Sequence, residues 1–234
     1  MIYVTADLHG YPLDNFLALL QKAAFSDDDF LFVLGDVIDR GPDGAALLRW
    51  MAEQPNVQLI LGNHEAFLLA CDYLFQPVND STLDALKPEN LKMLNNWMRN
   101  GGKPTLDALK LLLKNEPEVF EGILDLVRDA PLFETVQAGG RTYVLVHGGL
   151  DNFHPQRPLE DYEVNELIWV RPPLDTAYFD NATVVFGHTP TVCYGSQYAG
   201  KPIRGKGWIN IDTGAAMGGA PMLLRLDDGK EFYP

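Results

Sequence analysis

Three short blocks gather the side chains of this chain best suited to chemistry: Asp7-Leu8-His9-Gly10, Gly35-Asp36-Val37-Ile38-Asp39-Arg40-Gly41 and Gly62-Asn63-His64-Glu65. They offer oxygen and nitrogen ligands and no thiolate, a set that suits Mn, Fe, Zn or Mg and not soft-metal chemistry. Two such ions about 3.5–4 Å apart would lower the pKa of a shared water and aim hydroxide in line at phosphorus, so that no protein nucleophile is required. Together the blocks read as a two-metal, phosphoester-hydrolysing site.

The elements that must position them are legible in the flanking residues. Each block follows a run of strand-forming residues: Ile2 to Ala6, Phe30 to Leu34 and Val57 to Leu61. Asp7 lies 29 residues before Asp36, and Asn63 lies 27 after it, each gap the length of a βαβ unit. The first crossover carries Leu13, Phe16, Leu17, Leu20 and Ala24 at helical spacing, and the second Ala46, Leu47, Trp50 and Met51. Three parallel strands should therefore present three loops on one sheet edge, where open α/β sheets keep their ligand sites. Two later runs end the same way: Thr142 to Val146 leads into His147-Gly148-Gly149, and Ala182 to Phe186 into Gly187-His188-Thr189-Pro190. A lone histidine after a strand is more often structural than a ligand. Here each stands beside glycine in a chain with only five histidines. His154, beside Pro155 and without that context, reads as an ordinary surface residue.

With these blocks in place the chain resembles the metal-dependent serine/threonine phosphatases of the phosphoprotein phosphatase family, most closely their short bacterial and phage-type members. The resemblance spans nearly all 234 residues and is strongest in the second and third blocks together. It implies an α/β, calcineurin-like metallophosphoesterase fold, a two-sheet β-sandwich flanked by helices with a helical insertion. It makes Asp7 and His9 ligands of one ion, Asn63, His147 and His188 ligands of the other, and Asp36 the bridge. It also makes His64 an acid oriented by Asp39, and Arg40 and Arg171 the phosphate clamp; Arg171 rests on the short match Leu167-Ile168-Trp169-Val170-Arg171. The chemistry agrees, since an imidazole held by a carboxylate can protonate a leaving oxygen near neutral pH. Guanidinium forks match phosphate oxygens bidentately. Two departures stand out. Ala6 replaces a glycine usual before the first aspartate, a benign change, and Leu61 stands where many relatives carry a phosphate-binding arginine.

Blander readings compete at several positions. In isolation Asp39-Arg40 would be a solvated surface pair, but its place in a glycine-bounded loop just after Asp36 favours function. Glu65 reads as structural, an acidic residue at the positive end of a helix, with at most a supporting role at the site. The glycine-rich stretches around Asp212-Thr213-Gly214 and Met217-Gly218-Gly219 could approach the phosphate site, although a plain turn is the expectation.

Length and a 47% hydrophobic content suit one domain over 1–234 with a large core. Residues 83–130, with Leu91, Leu94, Trp97 and Met98 and then Leu106, Leu109, Leu112 and Leu113, read as a helical cap inserted in that domain. Trp97 and Met98 are expected in the core and not on a ligand. After His188, Val192 to Tyr194, Trp208 to Ile211 and Met222 to Leu226 read as strands of the second sheet.

A formal charge of −14 argues against nucleic acid as partner, because its phosphates would be repelled. Cys71 and Cys193 lack metal-like spacing, and with no leader-like or long apolar N-terminal segment the expectation is an unanchored cytoplasmic protein that binds no membrane. The sequence sets no oligomeric state. The leading expectation is metal-dependent hydrolysis of phosphomonoesters, with two divalent ions, Mn foremost, and a phosphoprotein or phosphopeptide substrate. The first alternative is hydrolysis of dinucleoside polyphosphates such as diadenosine tetraphosphate. Many enzymes of that kind carry Gly-Asn-His-Asp where this chain has Glu65, and lack the full Asp39-Arg40-Gly41. A catalytically idle metal-binding module ranks below both.

Overall fold

The computed structural model describes residues 1–77 and 87–234. Among the described residues the strands are β1 (Ile2–Thr5), β2 (Phe30–Val33), β3 (Val57–Leu59), β4 (Phe133–Ala138), β5 (Arg141–Val146), β6 (Ala182–Phe186), β7 (Ile203–Gly205), β8 (Trp208–Asn210), β9 (Leu223–Arg225) and β10 (Glu231–Phe232). They form two five-stranded sheets, ordered β10-β9-β1-β2-β3 and β4-β5-β6-β8-β7. Strands β1, β2 and β3 run parallel in the first sheet, and β5, β6 and β8 run parallel in the second.

The sheets face one another, and strand alternation assigns the side chains to separate cores. Val4, Phe32, Ile60, Leu145, Val185 and Leu224 fill the space between the sheets. Tyr3, Leu31, Val33 and Leu59 point to the other side of the first sheet, beneath helices α1 (Leu13–Lys22) and α2 (Gly44–Ala52). Val144, Val146, Phe186 and Trp208 line the outer face of the second. Full burial of one such side chain stabilises by about 1.5–3 kcal/mol. Exposed ion pairs such as Arg49 with Glu116 contribute about 0–1 kcal/mol, so these cores and not surface charges hold the fold. This α/β, two-sheet architecture flanked by helices is the one the resemblance implies.

The expected helical insertion appears as α4 (Pro88–Arg99), α5 (Lys103–Asn115) and α6 (Pro117–Arg128), after α3 (Asn63–Ala70). Residues 83–86 of the expected cap lie outside the described residues. Trp97, Leu109, Phe120 and Val127 join the core under α1 and α2, so the insertion thickens the helical layer of the first sheet.

Two expected strands are corrected. Val192 to Tyr194 form a 3-10 helix (Thr191–Tyr194) between Pro190 and Gly195, because the Cys193 N–H turns back to the Pro190 carbonyl and not outward to a neighbouring strand. The strand within Met222 to Leu226 pairs with the first sheet, where Leu224 faces Val4 and Arg225 faces Tyr3 in antiparallel register. It fills the open edge of β1, a choice of partner that local periodicity does not encode. Among the described residues, no helix is long and apolar enough to cross a membrane.

Candidate metal centre

All six parallel strands deliver a polar side chain at their C-terminal ends, and the loops are stitched together by backbone hydrogen bonds. The N–H groups of Asp7, His9 and Gly10 donate to the carbonyls of Gly35, Asp36 and Val37. Glu65 anchors this junction from the first turn of α3. Its carboxylate accepts from the N–H groups of Asp36 (2.8 Å), Val37 (2.9 Å) and Gly62 (3.2 Å). Glu65 thus stands at the helix start as expected, and its supporting role at the site is to shape the Asp36 loop.

The backbone is contorted where the chemistry concentrates. Among the described residues, eight non-glycine positions have positive φ, and six of them are Asp7, His9, Asp36, Asp39, Arg40 and His188. Each such conformation costs on the order of 1–3 kcal/mol and persists only where its surroundings enforce it. Gly187 shows the enforcement: a Cβ there would overlap the Asp7 carboxylate, whose two oxygens accept the His188 N–H at 3.0 and 2.9 Å.

Two clusters of ligand atoms share Asp36. One joins His9, Asp36 and His64; the other joins Asp36, His147 and His188. The His147 Nδ1 donates to the Leu34 carbonyl at 2.7 Å, which leaves a lone pair on Nε2. Around that nitrogen stand Asn63 Oδ1 at 3.0 Å, His188 Nδ1 at 3.2 Å and Asp36 Oδ1 at 3.4 Å. The same logic holds at His9, whose Nδ1 is turned to the Ile38 carbonyl at 3.1 Å while Nε2 faces Asp36 Oδ2 at 3.5 Å. Acceptors converging on acceptors in a buried site are costly without a cation between them. The donor set therefore fits two divalent ions, and its nitrogen and oxygen character restricts the choice as the sequence suggests.

Electrostatics point the same way. Burial pushes His9 and His188 down to about 3, leaving neutral imidazoles ready to ligate. Burial, together with Asp212 and Asp36, holds the Asp7 carboxyl well above its usual range. Asp36 is held well below it: burial opposes ionisation, but His147, His64, His9 and His188 outweigh it. Asp212 is itself pushed up to about 7, chiefly by burial and further by Asp36. It sits just past β8, which runs parallel beside β6, so the plain-turn expectation for this loop is corrected. The signal that could have found it is the one used elsewhere, a strand followed by an acidic residue and a glycine.

The remaining site residues also converge. His64 Nδ1 donates to Asp39 Oδ2 at 2.6 Å, both groups being buried. Burial alone would lower His64, but Asp36 and the Asp39 hydrogen bond reverse this and raise it. Arg40 Nη2 lies 3.3 Å from His64 Nε2. Arg171 donates to Thr189 Oγ1 at 3.2 Å, directly after His188. Trp169 lies edge-on to His188 with ring centroids 5.8 Å apart. Leu61 packs against the helix-side core, so no phosphate contact comes from that position. His154 is exposed and belongs to neither cluster, its Nδ1 accepting the Gln156 N–H. Sequence reasoning missed the second half of the Asp39 environment: Trp97 Nε1 and Thr105 Oγ1 also donate to its carboxylate, at 2.8 and 2.6 Å.

A family model described as calcineurin-like phosphoesterase matches residues 1–209. The symmetrical bis(5'-nucleosyl)-tetraphosphatase of Chromobacterium violaceum is 28% identical, over 99% of this chain and 94% of its own. That of Erwinia tasmaniensis is 26% identical, over 98% and 95%. Among solved structures, a proposed diadenosine tetraphosphatase superposes with a TM-score of 0.63 at 19% identity, covering 100% of this chain and 92% of that one. A protein serine/threonine phosphatase from Saccharomyces cerevisiae gives 0.58 at 16% identity, covering 100% and 79%. At these identities the two structural likenesses establish the fold alone.

Proposed function

Because the chain belongs to the calcineurin-like phosphoesterase family of metal-dependent hydrolases, we propose that it cleaves dinucleoside polyphosphates with two divalent metal ions. The observation that carries this reading is end-to-end sequence similarity to relatives named symmetrical bis(5'-nucleosyl)-tetraphosphatase. Likeness to the protein phosphatase stops at the fold. The order of the two substrate classes read from sequence is thereby reversed. The fold permits it, since the cleft continues from His9 and Arg40 into a cavity of about 260 Å³ bordered by Tyr11, Pro42, Ala215 and Ala216. That space, with one cation and one aromatic ring, suits a nucleotide arm beside the reacting phosphate.

In this reading Asp7 and His9 would hold one ion and Asn63, His147 and His188 the other, with Asp36 available to both. When bound, the ions supply Lewis-acid charge at the phosphoryl group and an activated water. Arg40 and Arg171 bind and align the polyphosphate. An incoming phosphate draws Arg40 away from His64 Nε2, which then takes up a proton from solvent, as its raised affinity favours, and gives it to the departing oxygen. Asp39 keeps the opposite ring nitrogen engaged, so that the imidazole presents Nε2 to the site. The chain works as one domain over 1–234, and with two free thiols we place it in the cytoplasm.

The test is a comparison of kcat/KM for diadenosine tetraphosphate, a phosphoserine peptide and a phosphotyrosine peptide, using metal-stripped protein resupplied with Mn. Diadenosine tetraphosphate is expected to exceed both peptides. A higher value for the phosphoserine peptide would replace this reading with protein phosphatase activity.

A further inference from the structure

The helical insertion reaches further into the site than its distance in sequence suggests. Asp39 is fully buried and has no guanidinium or ammonium partner within ion-pair distance among the described residues. Its carboxylate instead accepts from three uncharged or imidazole donors. Oδ2 accepts from His64 Nδ1 and from Trp97 Nε1, and Oδ1 accepts from Thr105 Oγ1. Thr105 closes the loop by accepting the Asp39 N–H at 2.9 Å, so one hydroxyl grips both the backbone and the side chain of the same residue. The link between the two helices is fitted to the same segment. Gly101 accepts the Arg40 N–H at 2.9 Å and has φ of +98°, and a Cβ there would press 2.8 Å from Arg40 Cγ. A Cβ on Gly102 would stand 2.5 Å from the Trp97 indole nitrogen.

From this geometry we infer that Trp97, Gly101, Gly102 and Thr105 form a positioning element for the Asp39-His64 pair. Among the described residues, the side-chain hydrogen bonds of Trp97 and Thr105 go to Asp39 and to no candidate metal ligand. They act through Asp39, fixing the plane of its carboxylate and through it the imidazole ring, so that Nε2 is held toward the reacting centre. Two of the three side-chain donors on Asp39 come from the insertion, one at the end of α4 and one at the start of α5. A buried carboxylate gripped on both oxygens by rigid donors keeps one orientation. Trp97 thus has two parts with separate roles: its ring fills the core, and its N–H serves the acid pair. The inference rests on the reading of His64 as the acid and not on which phosphoester is the natural substrate.

The experiment uses the full chain with Mn and two artificial monoesters, an alkyl phosphate that needs leaving-group protonation and p-nitrophenyl phosphate, which needs it far less. Trp97→Phe removes the N–H and keeps an aromatic ring; Thr105→Val removes the hydroxyl, and Thr105→Ser restores it. General acid catalysis as a whole contributes about 10²–10⁴-fold. Trp97→Phe and Thr105→Val are each expected to lose on the order of tenfold in kcat on the alkyl phosphate, with KM and bound metal unchanged. The loss on p-nitrophenyl phosphate should be much smaller, and Thr105→Ser should stay near wild type. Equal losses on both substrates, or no loss from Trp97→Phe, would overturn the inference and leave these residues as core packing. His64→Asn run in parallel separates the two readings. If it shows no leaving-group dependence, the acid assignment itself is wrong and this inference falls with it. If it shows that dependence and Trp97→Phe does not, only the positioning role is wrong. Should Thr105→Val fail to fold, Trp97→Phe and Thr105→Ser still decide.

Discussion

The amide oxygen of Asn63 and Nε2 of His147 stand 3.0 Å apart, although His147 has already committed its ring N–H to the Leu34 carbonyl. Neither atom has a proton for the other, and Asp36 and His188 close the same space. Removing ligands one at a time should therefore have graded effects. Asp36→Asn is expected to lower occupancy of both metal positions, because its two oxygens face opposite clusters; His147→Ala should empty mainly one. Elemental analysis that finds two ions bound at wild-type affinity in both variants would refute the assignment.

Metal affinity should rise with pH. Asp212 is pushed up to about 7 and Asp7 well above the usual carboxyl range, chiefly by burial. Below those values the folded, metal-free protein keeps protons that a cation must displace, so binding releases protons and strengthens as pH rises through the window. His9 and His188, pushed down to about 3, bind no proton there and do not compete. The rise in Tm on adding Mn should thus be larger at pH 8 than at pH 5.5. An equal rise at both would count against the buried carboxyls as the titrating groups.

His64→Asn should retain both metals and lose on the order of 10²–10⁴-fold in kcat on alkyl phosphates. A nucleoside diphosphate leaving group ends in a phosphate that titrates near about 6, so it departs with less help than an alkoxide. The loss on diadenosine tetraphosphate should accordingly fall between those on alkyl and p-nitrophenyl phosphates. Equal losses on all three substrates would assign His64 to structure or metal binding.

Arg40 and the neighbouring cavity should separate phosphate binding from recognition of the rest of the substrate. Arg40→Ala is expected to raise KM and lower kcat for every phosphoester, since a clamp that binds and aligns acts in ground and transition states. Ala216→Leu, which intrudes on the cavity beside Arg40, should raise KM several-fold for diadenosine tetraphosphate and leave p-nitrophenyl phosphate untouched. Steady-state kinetics with both substrates decide it, and an unchanged KM for the dinucleotide would remove the cavity from its binding path.

The candidate metal ligands could be proposed from the sequence because they follow strand ends, and the strand-loop rule for parallel sheets carries such side chains to a known edge. Asp7, Asp36, Asn63, His147 and His188 all obey it, as do the two βαβ spacings that order the first three strands. What lay outside local reach was every feature set by pairing across distance. The strand at Leu223 completes the first sheet because β1 has an open edge, a fact about a partner more than 200 residues away. Asp212 enters the site because β8 settles parallel beside β6, which the Trp208 to Ile211 periodicity leaves undetermined. The positive φ angles at Asp7, His9, Asp36, Asp39, Arg40 and His188 are imposed by neighbours such as Glu65 and Gly187, since these residue types choose other conformations when alone. Trp97 had every local mark of a core residue and is one. Only the packing of the insertion against the Asp39 loop could turn its indole N–H toward a carboxylate 58 positions earlier, because a hydrogen bond is fixed by where two chain segments meet and not by the composition of either.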